Sequence, residues 1–299
     1  MSDAKKTGTP KDSHYARLRR AYRDDKAGHD RAGHDKRPGG APTHRLRRPE
    51  IAGEGPAAGL IHLYGLHTVR AALGNPVRKI RSMLVTRNAA ERLELGPLDA
   101  LPFSARLAEP REIERMTGSE AVHQGVLIEA EPLKPKRLEA LGDTKLILVL
   151  DQVTDPHNVG AILRSAVAFS AGALITTSRH SPAESGVLAK SASGALEHID
   201  HIEVRNLAEG LNILHQAGFF SIGLDSEGPA ELEKSFSGEK IALVLGAEGK
   251  GLRQKTRETV NALARLDMPG AIRSLNVSNA AAIALYAAGK HLLAKQASD

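Results

Sequence analysis

The chain has no cysteine and no tryptophan, and aromatic residues make up only 3% of it. Without thiols it can form neither disulfides nor thiolate metal sites. With so few rings it lacks a platform for stacking several bases, so a nucleic acid would be held through shape and phosphate contacts. No apolar run approaches the roughly 20 residues that a membrane-crossing helix needs. The opening stretch, MSDAKKTGTPKDSHYARLRRAYRDDK, is basic but has no apolar core, unlike a secretory signal. A cytoplasmic protein with no membrane partner is expected. Two cofactor fingerprints are also missing. Neither G-x-G-x-x-G nor G-x-x-x-x-G-K-[ST] occurs, which disfavours an ordinary dinucleotide or P-loop site.

The charge that is present is unevenly placed. The formal net charge is +6, yet residues 1–50 hold 14 Lys and Arg against 7 Asp and Glu, so the rest of the chain sums to −1. A basic excess confined to one end is the pattern of a polyanion-seeking tail. Residues 1–58 have few apolar positions and no sustained period, and are expected to form a disordered basic arm. The repeated AGHD at Ala27–Asp30 and Ala32–Asp35 places His29 and His34 near aspartates. Low-complexity drift explains it better than a metal site, because a flexible segment offers no preformed geometry.

Residues 59–131 alternate short apolar runs (LIHLYG, IRSMLVT, VLIEA) with amphipathic stretches (HTVRAAL, a polar segment around Glu91, IERM), which predicts a small α/β domain. Pro132 and Pro135 lie in a mixed-charge stretch without a strong apolar run, placing a linker at 132–144. From 145 to 299 apolar strands alternate with helices: LILVLD, a helix from about Val159 to Ser170, ALITT, an Ala-rich helix from Ala183 to Leu196, HIEV, then helix NLAEGLNILHQA. Strands FFSIGL, IALVLG and LARLDM follow, before a long Ala-rich helix. That alternation implies a mostly parallel sheet covered on both faces. Ligands in such sheets bind beyond the carboxyl ends of the strands.

Three segments carry polar and glycine-rich signals at those ends. In Asp151–Arg164, DQVTDPHNVGAILR, Pro156 stops the strand and Asn158 is expected to cap the next helix. Arg164 lies six residues beyond Asn158, so the loop must fold back if both are to meet one ligand. In Val244–Leu252, VLGAEGKGL, three glycines surround Glu248, giving a loop that can wrap a ligand closely, with Glu248 available to bind a hydroxyl or hold an arginine. In Asp267–Leu285 a loop of Pro, Gly, Ser and Asn opens into a helix with Ala280, Ala281, Ala282, Ala284, Ala287 and Ala288. Its small side chains suit close helix packing, between subunits among other places, and high helix propensity explains them almost as well.

Taken in order, these segments resemble the three signature motifs of the SpoU family of RNA ribose methyltransferases, over Leu146 to about Leu293. IHLYGLHTVRAAL and HQGVLIEAEP resemble the small ribosomal-protein-like substrate-binding domain that many members carry in front. The resemblance implies a trefoil-knotted, mostly parallel catalytic sheet of the SPOUT type. S-adenosyl-L-methionine would be bound bent against the second and third motifs, and no metal would be required. Carried over by position, Gly246, Met268 and Leu275 are cofactor contacts. Arg164 matches the arginine at the reacting ribose with Asn158 beside it, and Glu248, Ser274 and Asn276 match the remaining polar positions. Two departures stand out: the loop Pro269–Ser274 is about two residues short of the commonest form, and Asn279 replaces an aliphatic residue. The front domain is more like that of members acting on a guanosine of large-subunit ribosomal RNA than like the short arms of tRNA-modifying members, and members are usually homodimers. Competing readings are a tRNA methyltransferase, a catalytically silent ribosome-assembly factor, and a small-molecule methyltransferase, which would need neither front domain nor arm.

Overall fold

The computed structural model describes residues 54–297, so most of the basic arm, with its AGHD repeat, lies outside the described residues. The front sheet has four strands in the order β1-β4-β2-β3: β1 Ile61–Tyr64, β2 Ile80–Val85, β3 Ser104–Leu107 and β4 Val126–Ala130. Helices α1 (Leu66–Gly74), α2 (Arg87–Arg92) and α3 (Pro110–Thr117) pack around it. Strand β3, SARL, was not expected. It pairs only with β2, at the sheet edge, and leaves Ser104, Arg106 and Leu107 exposed, so it lacks the apolar alternation by which a strand is recognised. Glu54 N donates to the Arg115 carbonyl at 2.9 Å, fastening the start of the described chain to α3.

The second sheet has seven strands in the order β7-β6-β5-β10-β8-β11-β9, all paired in parallel. They are β5 (Leu146–Asp151), β6 (Ala173–Thr177), β7 (Asp200–Val204), β8 (Phe220–Leu224), β9 (Ala230–Glu231), β10 (Ile241–Gly246) and β11 (Ala262–Arg265). Strands β5 and β10 are apolar up to their last residues, Asp151 and Gly246, because both of their faces are buried. Leu146, Leu148 and Leu150 of β5, with Ile241, Leu243 and Leu245 of β10, enter one core. Ile147 and Val149, with Ala242 and Val244, enter the core on the other face. The first core is closed by α4 (Pro156–Ala168), α5 (Gly186–Ala192) and α8 (Val277–Gln296), the second by α6 (Leu207–Gln216). A short α7 spans Gln254–Thr259.

Two local expectations are corrected and a third, the close packing of the last helix's alanines, is given its partner. Asn158 is not the cap of α4: Asp155 is, its carboxylate accepting from His157 N and Asn158 N, with Pro156 opening the helix. A proline there sacrifices no hydrogen bond, since a first-turn N–H has no intrahelical partner. The helix expected over 183–196 is split, because Ser193 and Gly194 take left-handed φ values of 53° and 95° before a 3₁₀ turn at Ala195–Glu197. The alanines of α8 are used inside the chain: Ala281, Ala284 and Ala288 are fully buried against the sheet and α4. The exposed face of that helix instead carries Ile283, Tyr286 and Leu293.

The two sheets meet through α5 and the segment after β4. A Cβ on Gly186 would stand 2.5 Å from the His62 carbonyl oxygen, so the first turn of α5 lies flush on β1. Lys136 bridges to Ile202 of β7, and Leu138 is buried in the second core. At the seam, the wholly buried Arg78 guanidinium holds Glu197 at 2.5 Å and Glu184 at 2.7 Å. Arg78 Nη1 also donates to the Glu131 carbonyl, and Asn75 Nδ2 to Glu197. Two carboxylates share one guanidinium here, and burial pushes the Glu184 carboxyl up from its usual range despite Arg78.

Candidate active site

The site gathers at the carboxyl ends of β5 and β10, the two central strands, which end in register with Gly246 opposite Asp151. Glu248, in the loop after β10, accepts from Asn158 Nδ2 at 3.3 Å and from Val277 N at 3.2 Å. Asn276 Nδ2 donates to Asn158 Oδ1 at 3.0 Å, while its own Oδ1 accepts from Ser278 N and so caps α8. Three segments, the first about a hundred residues before the other two, are thus joined through Asn158, Glu248 and Asn276. Asn158 is the hub, bonded to both of the others, while Glu248 and Asn276 each also hold a backbone N–H at the start of α8.

Arg164 is not part of this cluster. It lies on α4 with Asn158, but six residues on, about 9 Å along the axis and on a different face. It is exposed and has no hydrogen-bond or ion-pair partner among the described residues. The expectation that Glu248 holds an arginine is therefore replaced by Glu248 holding Asn158 and the start of α8. One helix, rather than a folded-back loop, carries both Asn158 and Arg164. Ser274 and Leu275 are exposed in the loop before α8. Met268 is half-buried, and its carbonyl accepts from Arg273 Nη1 at 2.8 Å, so this loop is braced from within.

Gly246 has a reason of its own. A Cβ there would overlap the carbonyl carbon of Gly251, because the loop closes on itself with Gly251 N donating to the Ala247 carbonyl at 2.8 Å. The glycine serves the chain's own close approach; its neighbours Gly249 and Gly251 have open space where a side chain would be. Asp151 was missed as a site residue. It is fully buried at the end of β5, and its carboxylate accepts from Arg253 N at 3.0 Å and Arg253 Nε at 2.6 Å. This anchors the far end of the glycine loop to the first motif. A carboxylate closing the apolar run LILVLD was the available signal, since a buried charge requires a partner.

The surface between the two loops suits an adenosyl sulfonium. Backbone groups of the glycine loop are unobstructed by side chains, and Ile272 (75% exposed) and Leu275 (41% exposed) offer apolar cover for a flat ring. Among the described residues no group of three or more His, Asp or Glu is placed to hold a metal ion, and no helix is long and apolar enough to cross a membrane. A separate cavity of about 530 Å³ opens at the seam between the sheets, lined by Leu133, Leu163, Leu188, Glu184 and Glu197 among others, and by none of the predicted site residues.

Residues 145–286 match the SpoU rRNA Methylase family, and residues 62–136 match the domain described as RNA 2′-O ribose methyltransferase substrate binding. The chain is 39% identical over 233 residues to the 23S rRNA (guanosine-2′-O-)-methyltransferase RlmB of Ralstonia nicotianae, covering 76% of this chain and 94% of that protein. The RlmB of Pseudomonas putida is 38% identical over 238 residues, covering 76% and 94%. Among solved structures, the SpoU methyltransferase AviRb of Streptomyces viridochromogenes with AdoMet has a TM-score of 0.67 at 22% identity, covering 79% of this chain and 91% of that one. The chain belongs to the SpoU rRNA methylase family. It is an S-adenosylmethionine-dependent RNA 2′-O-methyltransferase with an RNA substrate-binding domain in front, and the family implies the knotted SPOUT path around the parallel sheet.

Proposed function

We propose that the substrate is a guanosine ribose of 23S ribosomal RNA, that the enzyme works in the cytoplasm as a homodimer, and that residues 145–299 catalyse while 59–131 grip the RNA across the 132–144 linker. The observation that carries the substrate reading is the similarity to proteins named 23S rRNA (guanosine-2′-O-)-methyltransferase, which extends through the front domain as well as the catalytic one. Ribosomal RNA is favoured over tRNA on the same ground. The dimer reading draws on Ile283, Tyr286 and Leu293 exposed along one face of α8, with Phe169 of α4's end edge-on to Tyr286.

When bound, S-adenosylmethionine supplies a methyl already activated on a sulfonium; Gly246, Met268 and Leu275 are read as its contacts. The chain's own residues must align the ribose oxygen in line with that methyl and steady the charge as the hydroxyl proton leaves. A guanidinium is a poor general base, so no proton abstraction is assigned to Arg164. Free of internal partners and solvent-facing, it is placed to hold the phosphate beside the target and stabilise the developing alkoxide. Asn158, Glu248 and Asn276 hold the loops in register around the reacting groups, and Ser274 completes the polar wall.

The test is transfer of labelled methyl to total ribosomal RNA and, separately, to tRNA, with the nucleoside identified by mass spectrometry. 2′-O-methylguanosine in ribosomal RNA is expected; label confined to tRNA overturns the substrate assignment. Arg164→Ala should reduce turnover by at least about 100-fold, the order seen when a transition-state charge stabiliser is removed, with cofactor affinity unchanged. Undiminished turnover would remove the role given to this arginine. A protein that binds cofactor and RNA but labels neither pool, even as precursor particles, is the silent assembly factor.

A further inference from the structure

Between the front domain and the predicted catalytic helix sits an ammonium that has not been neutralised. Lys190 of α5 is half-buried, and its Nζ donates to a single acceptor, Gln124 Oε1 at 3.0 Å. No carboxylate pairs with it among the described residues, whereas the buried Arg78 at the same seam has two. Burial alone pulls its pKa down from the usual lysine value, with no opposing charge to restore it. A lysine ammonium has three donors, so two remain to be used.

The surroundings hold this cation in place. Gln124 takes the left-handed conformation at φ 55°, unusual for a residue with a side chain, and its Oε1 also accepts from Leu66 N at 3.1 Å. Gly65, at φ 90°, leaves open the lane the lysine occupies, since a Cβ there would overlap Lys190 Nζ. A strained residue and an obligatory glycine thus fix an unpaired charge in a partly desolvated position, an arrangement that costs stability unless something arrives to offset it.

The lysine also connects towards the chemistry. Its neighbour Ser191 has Oγ 3.3 Å from His157 Nδ1 in the first turn of α4. The two helices touch so closely that a Cβ on Gly160 would stand 2.6 Å from the Leu188 carbonyl oxygen. His157 and Arg164 are seven residues apart on α4, about two turns, and therefore share one exposed face. Contacts run without a break from Gln124 of the front domain through α5 to the face that carries Arg164.

We propose that Lys190 is a positioning residue whose ammonium takes a backbone phosphate of the substrate RNA at the domain seam, setting which ribose along the strand reaches Arg164. The inference rests on the RNA-methylating reading above. Its test uses the full chain and protein-free 23S ribosomal RNA, with binding measured across a salt series and turnover across an RNA series. Lys190→Gln should lower the slope of log affinity against log salt by about 0.7–0.9, the contribution of one phosphate contact, and raise KM for RNA several-fold. Lys190→Arg should restore the slope. Gln124→Glu, which keeps an acceptor for Leu66 N but pairs the lysine internally, should lower the slope as Lys190→Gln does. An unchanged slope in both Lys190→Gln and Gln124→Glu overturns the proposal, and a fall in melting temperature with that unchanged slope leaves Lys190 as a brace between domains. Failure of the wild-type protein to methylate any RNA would sink the functional reading separately, because the salt slope is read from binding alone.

Discussion

At the scale of single residues, this site depends on what each side chain excludes as much as on what it contacts. Gly246 has no side chain because the loop returns over it, and the atoms a Cβ would meet are the backbone of Gly251 and Leu252. Backbone cannot swing aside as a long side chain does, so Gly246→Ala must pry the loop open. Expected is at least about a tenfold loss of cofactor affinity with a modest fall in melting temperature, a shift of about 1.4 kcal/mol in binding, checked by titration calorimetry. Retained affinity would mean that the loop tolerates displacement. Of the predicted site residues, Asn158 and Glu248 were legible from their place in polar segments and Asn276 from the family resemblance, and the structure links both Glu248 and Asn276 to Asn158 by hydrogen bonds. Asp151 was not chosen, because a strand-terminal carboxylate is common and only its contact with Arg253 gives it a task.

At the scale of elements, the helices and strands that mattered were those whose neighbours could not be read from their own pattern. The sequence LILVLD announces a strand buried on both faces, and β5 is one; SARL announces nothing, and β3 exists because β2 offers it an edge. The alanines of α8 read as close helix packing, with helix propensity almost as good an explanation, and which helix they meet was decided by tertiary packing against α4. Between the two sheets, Arg78 is the joint: its side chain is fully buried and reaches Glu184, Glu197 and the Glu131 carbonyl. Removing a buried cation while leaving its carboxylates behind is costly, so Arg78→Met should destabilise the chain by about 3–5 kcal/mol in denaturant unfolding. Glu197→Gln, which still accepts hydrogen bonds from Arg78 and Asn75, should cost less. A loss below about 1 kcal/mol for Arg78→Met would mean that the seam is held by its apolar contacts.

At the scale of the whole molecule, the charge divides between residues 51–299, which are nearly balanced, and residues 1–50, which carry the basic excess. Deleting residues 1–53 should leave the melting temperature of the remainder unchanged within about 1 °C, because the buried cores of the described residues are built between Ile61 and Leu292. RNA affinity should fall and lose part of its salt dependence, as counterion release predicts for lost phosphate contacts. A large drop in melting temperature would show that the arm packs on the fold. The pair of measurements separates a polyanion-seeking tail from a structural one.

The sequence by itself determined the alternation of apolar strands and helices, the parallel sheet and the three polar segments at its carboxyl edge. Those features follow from local period and composition, which need no knowledge of distant neighbours. Only the tertiary structure decided that Asp155 rather than Asn158 caps α4, that Glu248 reaches Asn158 and Val277 rather than an arginine, and that Arg164 stands apart with its guanidinium free. It alone placed an unpaired Lys190 between the domains and gave Arg78 two carboxylates. The Asp155 cap is local, but choosing it over Asn158 depends on where the helix starts. The contacts of Glu248, Lys190 and Arg78 reach across many residues of chain, and such contacts leave no periodic trace, because they depend on where the backbone returns rather than on what lies next to it.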